Sequence, residues 1–155
     1  MGDFKKFPLF IDGEDKDVLV IGGGNIAYRR VKTLLCFGFN IKVISEEFSE
    51  EMKNLLEDNK LNYEINSFNK SMIKNQFLIL ACTDNRQVNY EIGKISKEKG
   101  IFVSVCDAKE ECSFFFPAIA INENLSVGIV GTGNSHEVTK KAAKVVRDII
   151  ERKAY

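Results

Sequence analysis

Short blocks of consecutive apolar residues alternate along this chain with longer stretches whose apolar positions recur at helical spacing. Val18–Ile21 is a continuous apolar run, the pattern of a strand covered on both faces, and Gly22-Gly23-Gly24 ends it abruptly. From Asn25 to about Phe37, the residues Ile26, Ala27, Val31, Leu34 and Leu35 share one helical face, and Gly38 closes the helix they predict. Ile41–Ser45 reads as a second strand, Glu47 to about Leu56 as a second helix, and Leu61–Ile65 as a third strand. The segment Asn66–Asn75 has no legible period.

Phe77–Ala81 is another buried strand. Asp84 follows as a helix cap with Gln87 in the reciprocal position, and the helix runs to Lys99 with Gly100 as its stop. Ile101–Val105 makes a fifth strand. Strands alternating with helices predict an α/β fold, a parallel sheet with helices on both faces. The pattern then changes. Phe114–Ile121 and Leu125–Val130 flank the polar turn Asn122-Glu123-Asn124 and predict a hairpin, with Pro117 at an edge, a bulge or a strand boundary. Thr132-Gly133-Asn134 leads into a last helix, with Asn134 as cap and Glu137 as its reciprocal partner. The expected division is therefore residues 1–112 for the sheet domain and 113–155 for the hairpin and the start of a helical region.

The 155 residues suit one domain with a small extension. Basic and acidic residues balance at 22 each, so no global field draws in nucleic acid or an anionic membrane, and neither is an expected partner. Phe77–Cys82 and Phe114–Ile121 are far shorter than the roughly 20 residues of a membrane helix. The first residues lack the apolar core of a secretory signal, which makes the cytoplasm the expected location, and Lys6 stands where a myristoylation motif needs Ser or Thr. Cys36, Cys82, Cys106 and Cys112 lack Cys-x-x-Cys spacing and are expected to be reduced and mostly buried. His136 is the only histidine, so no fixed metal site is expected.

The strand, the glycine turn and the following helix make Gly22-Gly23-Gly24-Asn25-Ile26-Ala27 a Gly-x-Gly-x-x-Ala motif, the phosphate-binding turn of Rossmann-type dinucleotide domains. In that reading Gly22 makes the tight turn, Gly24 lets a pyrophosphate approach bare backbone, and Ala27 packs helix on strand. Glu46 follows Ala27 by 19 residues after a second strand, where it or Ser45 can accept from a ribose hydroxyl. A carboxylate there disfavours a 2′-phosphate, which favours NAD over NADP. Alternatively, Glu46 and Glu47 charge a helix N-terminus. Tyr90-x-x-x-Lys94 has the spacing of a tyrosine and lysine proton-transfer pair, but it falls within the helix after the fourth strand and goes with a different glycine pattern. Asp107 stands just past the carboxyl end of the fifth strand, where ligands of open parallel sheets bind; the alternative is a turn or capping aspartate.

Taken in order, Phe7-Pro8-Leu9-Phe10-Ile11, the glycine turn, Ala81-Cys82-Thr83-Asp84-Asn85 with Val88-Asn89, Val103–Asp107, Ser113-Phe114 and Phe116-Pro117-Ala118 resemble the N-terminal domain of siroheme synthases, over about residues 7 to 150. The resemblance implies NAD-dependent oxidation of precorrin-2 to sirohydrochlorin, in some members with insertion of Fe2+ as a second activity. It matches Asn25-Ile26 and Glu46-Glu47 to NAD-contacting positions and Asp107 to the catalytic aspartate; Thr83 and Asp84 join the coenzyme-binding set. It further implies a homodimer that exchanges the hairpin and following helix. This chain departs from the family at Asp107-Ala108-Lys109, where Asp-x-Pro is common, at Ser135-His136, where a Ser-Pro step is common, and at Gly131, where some members carry a phosphorylatable serine. A further helical region, expected to complete the substrate cleft, would follow Tyr155.

Lys140, Lys144 and Arg147 recur at helical intervals and could gather the carboxylates of a tetrapyrrole; a solvated face with Asp148 and Glu151 as counter-charges is the alternative. The expected mechanism moves hydride from the tetrapyrrole to NAD, with Asp107 as general base or as the group that orients the macrocycle. Its rival is a non-enzymatic NAD-sensing module.

Overall fold

A computed structural model describes residues 6–131 and 136–152. The chain forms β1 (Asp17–Ile21), α1 (Asn25–Leu34), β2 (Asn40–Ser45), α2 (Glu50–Asp58), β3 (Asn62–Ile65), β4 (Leu78–Ala81), α3 (Arg86–Glu98) and β5 (Phe102–Val105). A hairpin of β6 (Ala118–Ile121) and β7 (Ser126–Ile129) and the helix α4 (His136–Arg152) follow. Two compact units result: one is Asp12–Phe114, and the other joins the residues up to Ile11 to those from Phe115 onward.

The first unit is a five-stranded sheet of order β3-β2-β1-β4-β5, parallel throughout. Its central strand explains the unbroken apolar run: Val20 is paired with Val43 on one side and Leu80 on the other, and it is completely buried. A strand covered by helices on both faces has no solvent side on which to place polar residues. Leu19, Ile21, Ile44, Ile79, Ile92 and Val103 belong to one buried cluster. The stretch without a period supplies a plug for that cluster, because a short 3-10 turn at Lys70–Met72 sets down Ile73 at 1% exposure.

Several boundaries differ from those expected. Helix α1 ends at Leu34 and passes into a 3-10 turn before Gly38, which adopts a left-handed φ of 74°. Helix α2 starts three residues after Glu47, because Ser49 caps it by accepting a hydrogen bond from the Met52 amide at 3.3 Å. The cap of α3 is Asn85 rather than Asp84: Asn85 Oδ1 accepts from the amides of Gln87 at 3.0 Å and Val88 at 3.2 Å. All four cysteines are free, as expected, but only Cys82 is buried; Cys106 and Cys112 are half-buried and Cys36 is exposed.

In the second unit, β6 and β7 pair antiparallel from Ala118 opposite Ile129 to Ile121 opposite Ser126, a shorter hairpin than the apolar runs suggest. Asn122 Oδ1 holds the turn by accepting from the amides of Asn124 and Leu125 at 2.9 and 2.8 Å. Helix α4 buries Ala143 and Ile150, and Arg147 Nη2 donates to the Ile119 carbonyl at 3.0 Å. The expected cap Asn134 lies outside the described residues, as do the Ser135-His136 side chains. Among the described residues no helix is long and apolar enough to cross a membrane.

Candidate functional site

The chain leaves β1 toward β2 on one side and leaves β4 toward β5 on the other, so the loops after β1 and β4 diverge. Such a switch point opens a crevice at the carboxyl edge of the sheet, where ligands of this architecture bind. Gly22 sits at the mouth of it. Its amide donates to the Ile44 carbonyl at 2.8 Å, its φ is +118°, and a Cβ there would lie 2.2 Å from the Cys82 carbonyl oxygen. Only glycine allows that turn to pass between the ends of β2 and β4.

The other two glycines differ from each other in a way their spelling conceals. A Cβ on Gly23 would lie 2.3 Å from the Glu47 carbonyl oxygen, and the Gly23 carbonyl accepts from the Ser49 amide at 3.0 Å. Its bareness serves packing against the β2–α2 loop. Gly24 is exposed, has an ordinary φ of −86°, and a Cβ on it would meet nothing within 4 Å. The fold itself does not need glycine there. Gly24 is also the N-cap of α1 and offers no side-chain cap, whereas Ser49 and Asn85 cap the next two helices. The amides of the first turn, including Asn25 and Ile26, therefore keep unsatisfied donors at the positive end of the helix. Bare backbone, open space and uncapped amides suit a dinucleotide phosphate. Ala27 faces inward and is fully buried.

Ser45, Glu46 and Glu47 form the rim after β2. Ser45 Oγ donates to the Glu47 carbonyl at 2.6 Å, and both glutamates are exposed. Glu50 and Glu51 occupy the first turn of α2, so Glu46 and Glu47 precede the helix rather than charge its first turn.

The loops after β4 and β5 are joined by Asn89, which is fully buried near the start of α3. Asn89 Oδ1 accepts from Thr83 Oγ1 at 2.7 Å and from the Thr83 amide at 3.1 Å. Asn89 Nδ2 donates to the Thr83 carbonyl at 2.9 Å and to Asp107 Oδ2 at 3.1 Å. The other carboxylate oxygen of Asp107 stands 3.8 Å from Arg86 Nη1, and the same guanidinium pairs with Glu111. The hydrogen bond it donates to Glu111 raises the Arg86 pKa, opposed by desolvation and aided by the charges of Glu111, Asp107 and Glu110. Asp84 is exposed beside this network. Neither Arg86 nor the part played by Asn89 is apparent from sequence spacing, because one buried amide on an amphipathic helix has no periodic signature.

The tyrosine and lysine pair belongs elsewhere. Tyr90 packs beside the Arg86 guanidinium at 5.8 Å, and Lys94 faces Glu98 at 4.0 Å. Lys140, Lys144 and Arg147 are exposed on α4, in the other compact unit, and Lys141 pairs with Glu137 at 2.7 Å.

A family model described as "Putative NAD(P)-binding" matches residues 9–118. The chain is 42% identical over 147 residues to the "Probable multifunctional siroheme biosynthesis protein HemA" of Ruminiclostridium josui, covering 94% of this chain and 28% of that protein. It is 31% identical over 144 residues to the siroheme synthase of Baumannia cicadellinicola subsp. Homalodisca coagulata, covering 93% of this chain and 30% of that one. The chain thus spans less than a third of these relatives. The solved structure of "SirC, precorrin-2 dehydrogenase" matches with a TM-score of 0.77 and 26% identity, covering 93% of this chain and 71% of that one.

Proposed function

This chain belongs to the NAD(P)-binding family that forms the N-terminal domain of siroheme synthases, and from that premise we propose that it oxidises precorrin-2 to sirohydrochlorin with NAD. The observation that carries the proposal is the open, uncapped backbone at Gly24 on the same sheet edge as the tethered carboxylate of Asp107.

Bound NAD supplies the hydride acceptor. The amides from Gly24 to Ala27 receive the pyrophosphate, with Gly22 and Gly23 shaping the turn beneath them. Glu46 and Ser45 take the ribose hydroxyls, Glu47 completes that rim, and the carboxylates there favour NAD over NADP. Thr83 and Asp84 border the coenzyme on the β4 side. Asp107 either accepts the proton that leaves with the oxidation or orients the macrocycle; Asn89 restrains Oδ2, and Oδ1 stands 3.8 Å from the Arg86 guanidinium. Lys140, Lys144 and Arg147 offer cations for substrate carboxylates. Asp107 is also the candidate acceptor of pyrrole protons if Fe2+ is inserted as a substrate.

Val138, Val145 and Ile149 of α4 expose apolar surface, as do Ile121 and Leu125 of the hairpin. Apolar surface of that kind supports a homodimer in which a second copy exchanges the hairpin and covers it. The proposed location is the cytoplasm, where free thiols persist.

The test is Asp107→Ala. The variant is expected to bind NAD almost as the parent does and to lose turnover; unchanged turnover would remove Asp107 from its role.

A further inference from the structure

Cys82 and Cys106 directly follow Ala81 and Val105, the last paired residues of β4 and β5, and the Cys106 amide donates to the Ala81 carbonyl at 3.0 Å. Neighbouring strands run about 4.8 Å apart, and equivalent residues of a parallel pair point to the same face. The two cysteines therefore leave strand ends whose spacing lies inside the roughly 4.4–6.8 Å between Cα atoms that a disulfide spans.

The Cys106 thiol donates to the carbonyl of Thr83, the residue after Cys82, at 3.9 Å, and the surroundings of the two cysteines make them unequal. Cys82 is buried and its sulfur accepts from Arg30 Nη1 at 3.4 Å. Cys106 is half-buried, and its sulfur lies 3.7 Å from Asn89 Nδ2. The neighbouring Cys106 thiol pushes the Cys82 pKa up, as does burial, which leaves Cys82 the protonated partner. The Cys82 thiol in turn lowers the Cys106 pKa to about 7, helped by Arg30 and opposed by burial and Asp107. A half-accessible thiolate beside a protonated thiol is the arrangement of an attacking and a resolving cysteine. The other two cysteines lack it. Cys112 directs its sulfur to the Val105 and Ala108 carbonyls, both at 3.4 Å, and Cys36 points to its own helix at the Lys32 carbonyl.

We propose that Cys106 and Cys82 form a hydroperoxide-reactive dithiol at the edge of the site. The Cys106 thiolate attacks the O–O bond and becomes a sulfenic acid, releasing hydroxide or alkoxide. The Cys82 sulfur then displaces the sulfenic oxygen, which leaves as water with the Cys82 proton, and a disulfide closes. Two electrons pass from the thiols to the peroxide, and a small dithiol reopens the bridge by exchange. The bridge fastens together the loops that carry Thr83 and Asp107. None of this depends on coenzyme or tetrapyrrole.

The experiment uses the reduced full chain, about one equivalent of hydrogen peroxide, denaturing alkylation and tryptic mass mapping. Cys82 falls in peptide 75–86, Cys106 in 100–109, and Cys112 beyond the cut at Lys109. The expected product is a dithiothreitol-reversible bridge between peptides 75–86 and 100–109, formed equally in Cys36→Ser. In Cys82→Ser, Cys106 is expected to be trapped by dimedone as the sulfenic acid. The unmutated chain decides the matter by itself: Cys106 still fully alkylatable after Cys36 has been oxidised, or bridged to Cys36 or Cys112 instead, overturns the proposal.

Discussion

Asn89 Nδ2 donates to Asp107 Oδ2 across 3.1 Å while Oδ1 of the same amide accepts from Thr83 Oγ1 at 2.7 Å. One fully buried side chain thus sets the distance between the two loops that border the candidate site. The pairing specifies orientation as well, because an amide has one accepting and one donating end.

Asn89→Asp isolates the donating half. A carboxylate can still accept from Thr83, but it cannot donate to Asp107 or to the Thr83 carbonyl, and it places like charges together. Stability is expected to fall by about 1–3 kcal/mol for the buried groups left unpaired. Turnover is expected to fall on the order of 100-fold, within the range that a positioned acid or base contributes. Urea denaturation and steady-state kinetics with precorrin-2 measure the two effects, and NAD affinity is expected to change much less.

Gly24→Ala separates ligand binding from folding. A Cβ there meets nothing within 4 Å and the φ of −86° suits alanine, so stability is expected to stay within about 1 kcal/mol of the parent. NAD affinity is expected to drop by about tenfold or more, equivalent to about 1.4 kcal/mol, because the methyl occupies the approach to the phosphates. Gly22→Ala is expected to behave in the opposite way and damage the fold itself, since its Cβ would lie 2.2 Å from the Cys82 carbonyl oxygen. Thermal melts and calorimetric titration with NAD distinguish the two.

Glu46→Arg tests the reading of the rim after β2. Replacing an exposed carboxylate by a cation is expected to raise NADP affinity relative to NAD by about tenfold, or about 1.4 kcal/mol. Parallel titrations with both coenzymes measure the ratio.

The Cys106 thiol, with its pKa lowered to about 7, is expected to gain reactivity as pH rises through that value, since its thiolate is the nucleophile. Iodoacetamide labelling of the folded chain, mapped to peptide 100–109, should follow a sigmoid centred near pH 7, while buried Cys82 stays unlabelled.

Much of the architecture is legible in the chain because each level of the pattern agrees with the next. Val18–Ile21 is apolar throughout, as a doubly covered strand must be, and Gly22 is required by its positive φ. The misplaced α3 cap has a local cause: Asp84 and Asn85 are both good capping residues, and only the course of the chain out of β4 selects Asn85. Ile73 escapes a periodic reading because one residue on a short turn does the packing. The candidate site was legible where one loop carries it, at Gly22–Ala27, and hidden where distant segments meet. Asn89 and Asp107 are 18 positions apart and Cys82 and Cys106 are 24 apart, so their pairing arises from strand order alone. The glycine run shows the same limit, since packing at Gly23 and openness at Gly24 are spelled by the same letter.

The most direct measurement is an anaerobic absorbance assay in which precorrin-2 and NAD are added to the purified chain. Sirohydrochlorin is expected to appear above the spontaneous rate with one NADH formed for each molecule, and both signals are expected to be lost in Asp107→Ala. Calorimetrically detectable NAD binding with neither product formed would contradict the proposed oxidation and favour a sensing module; no NAD binding at all by the folded chain would contradict the coenzyme site on which it rests.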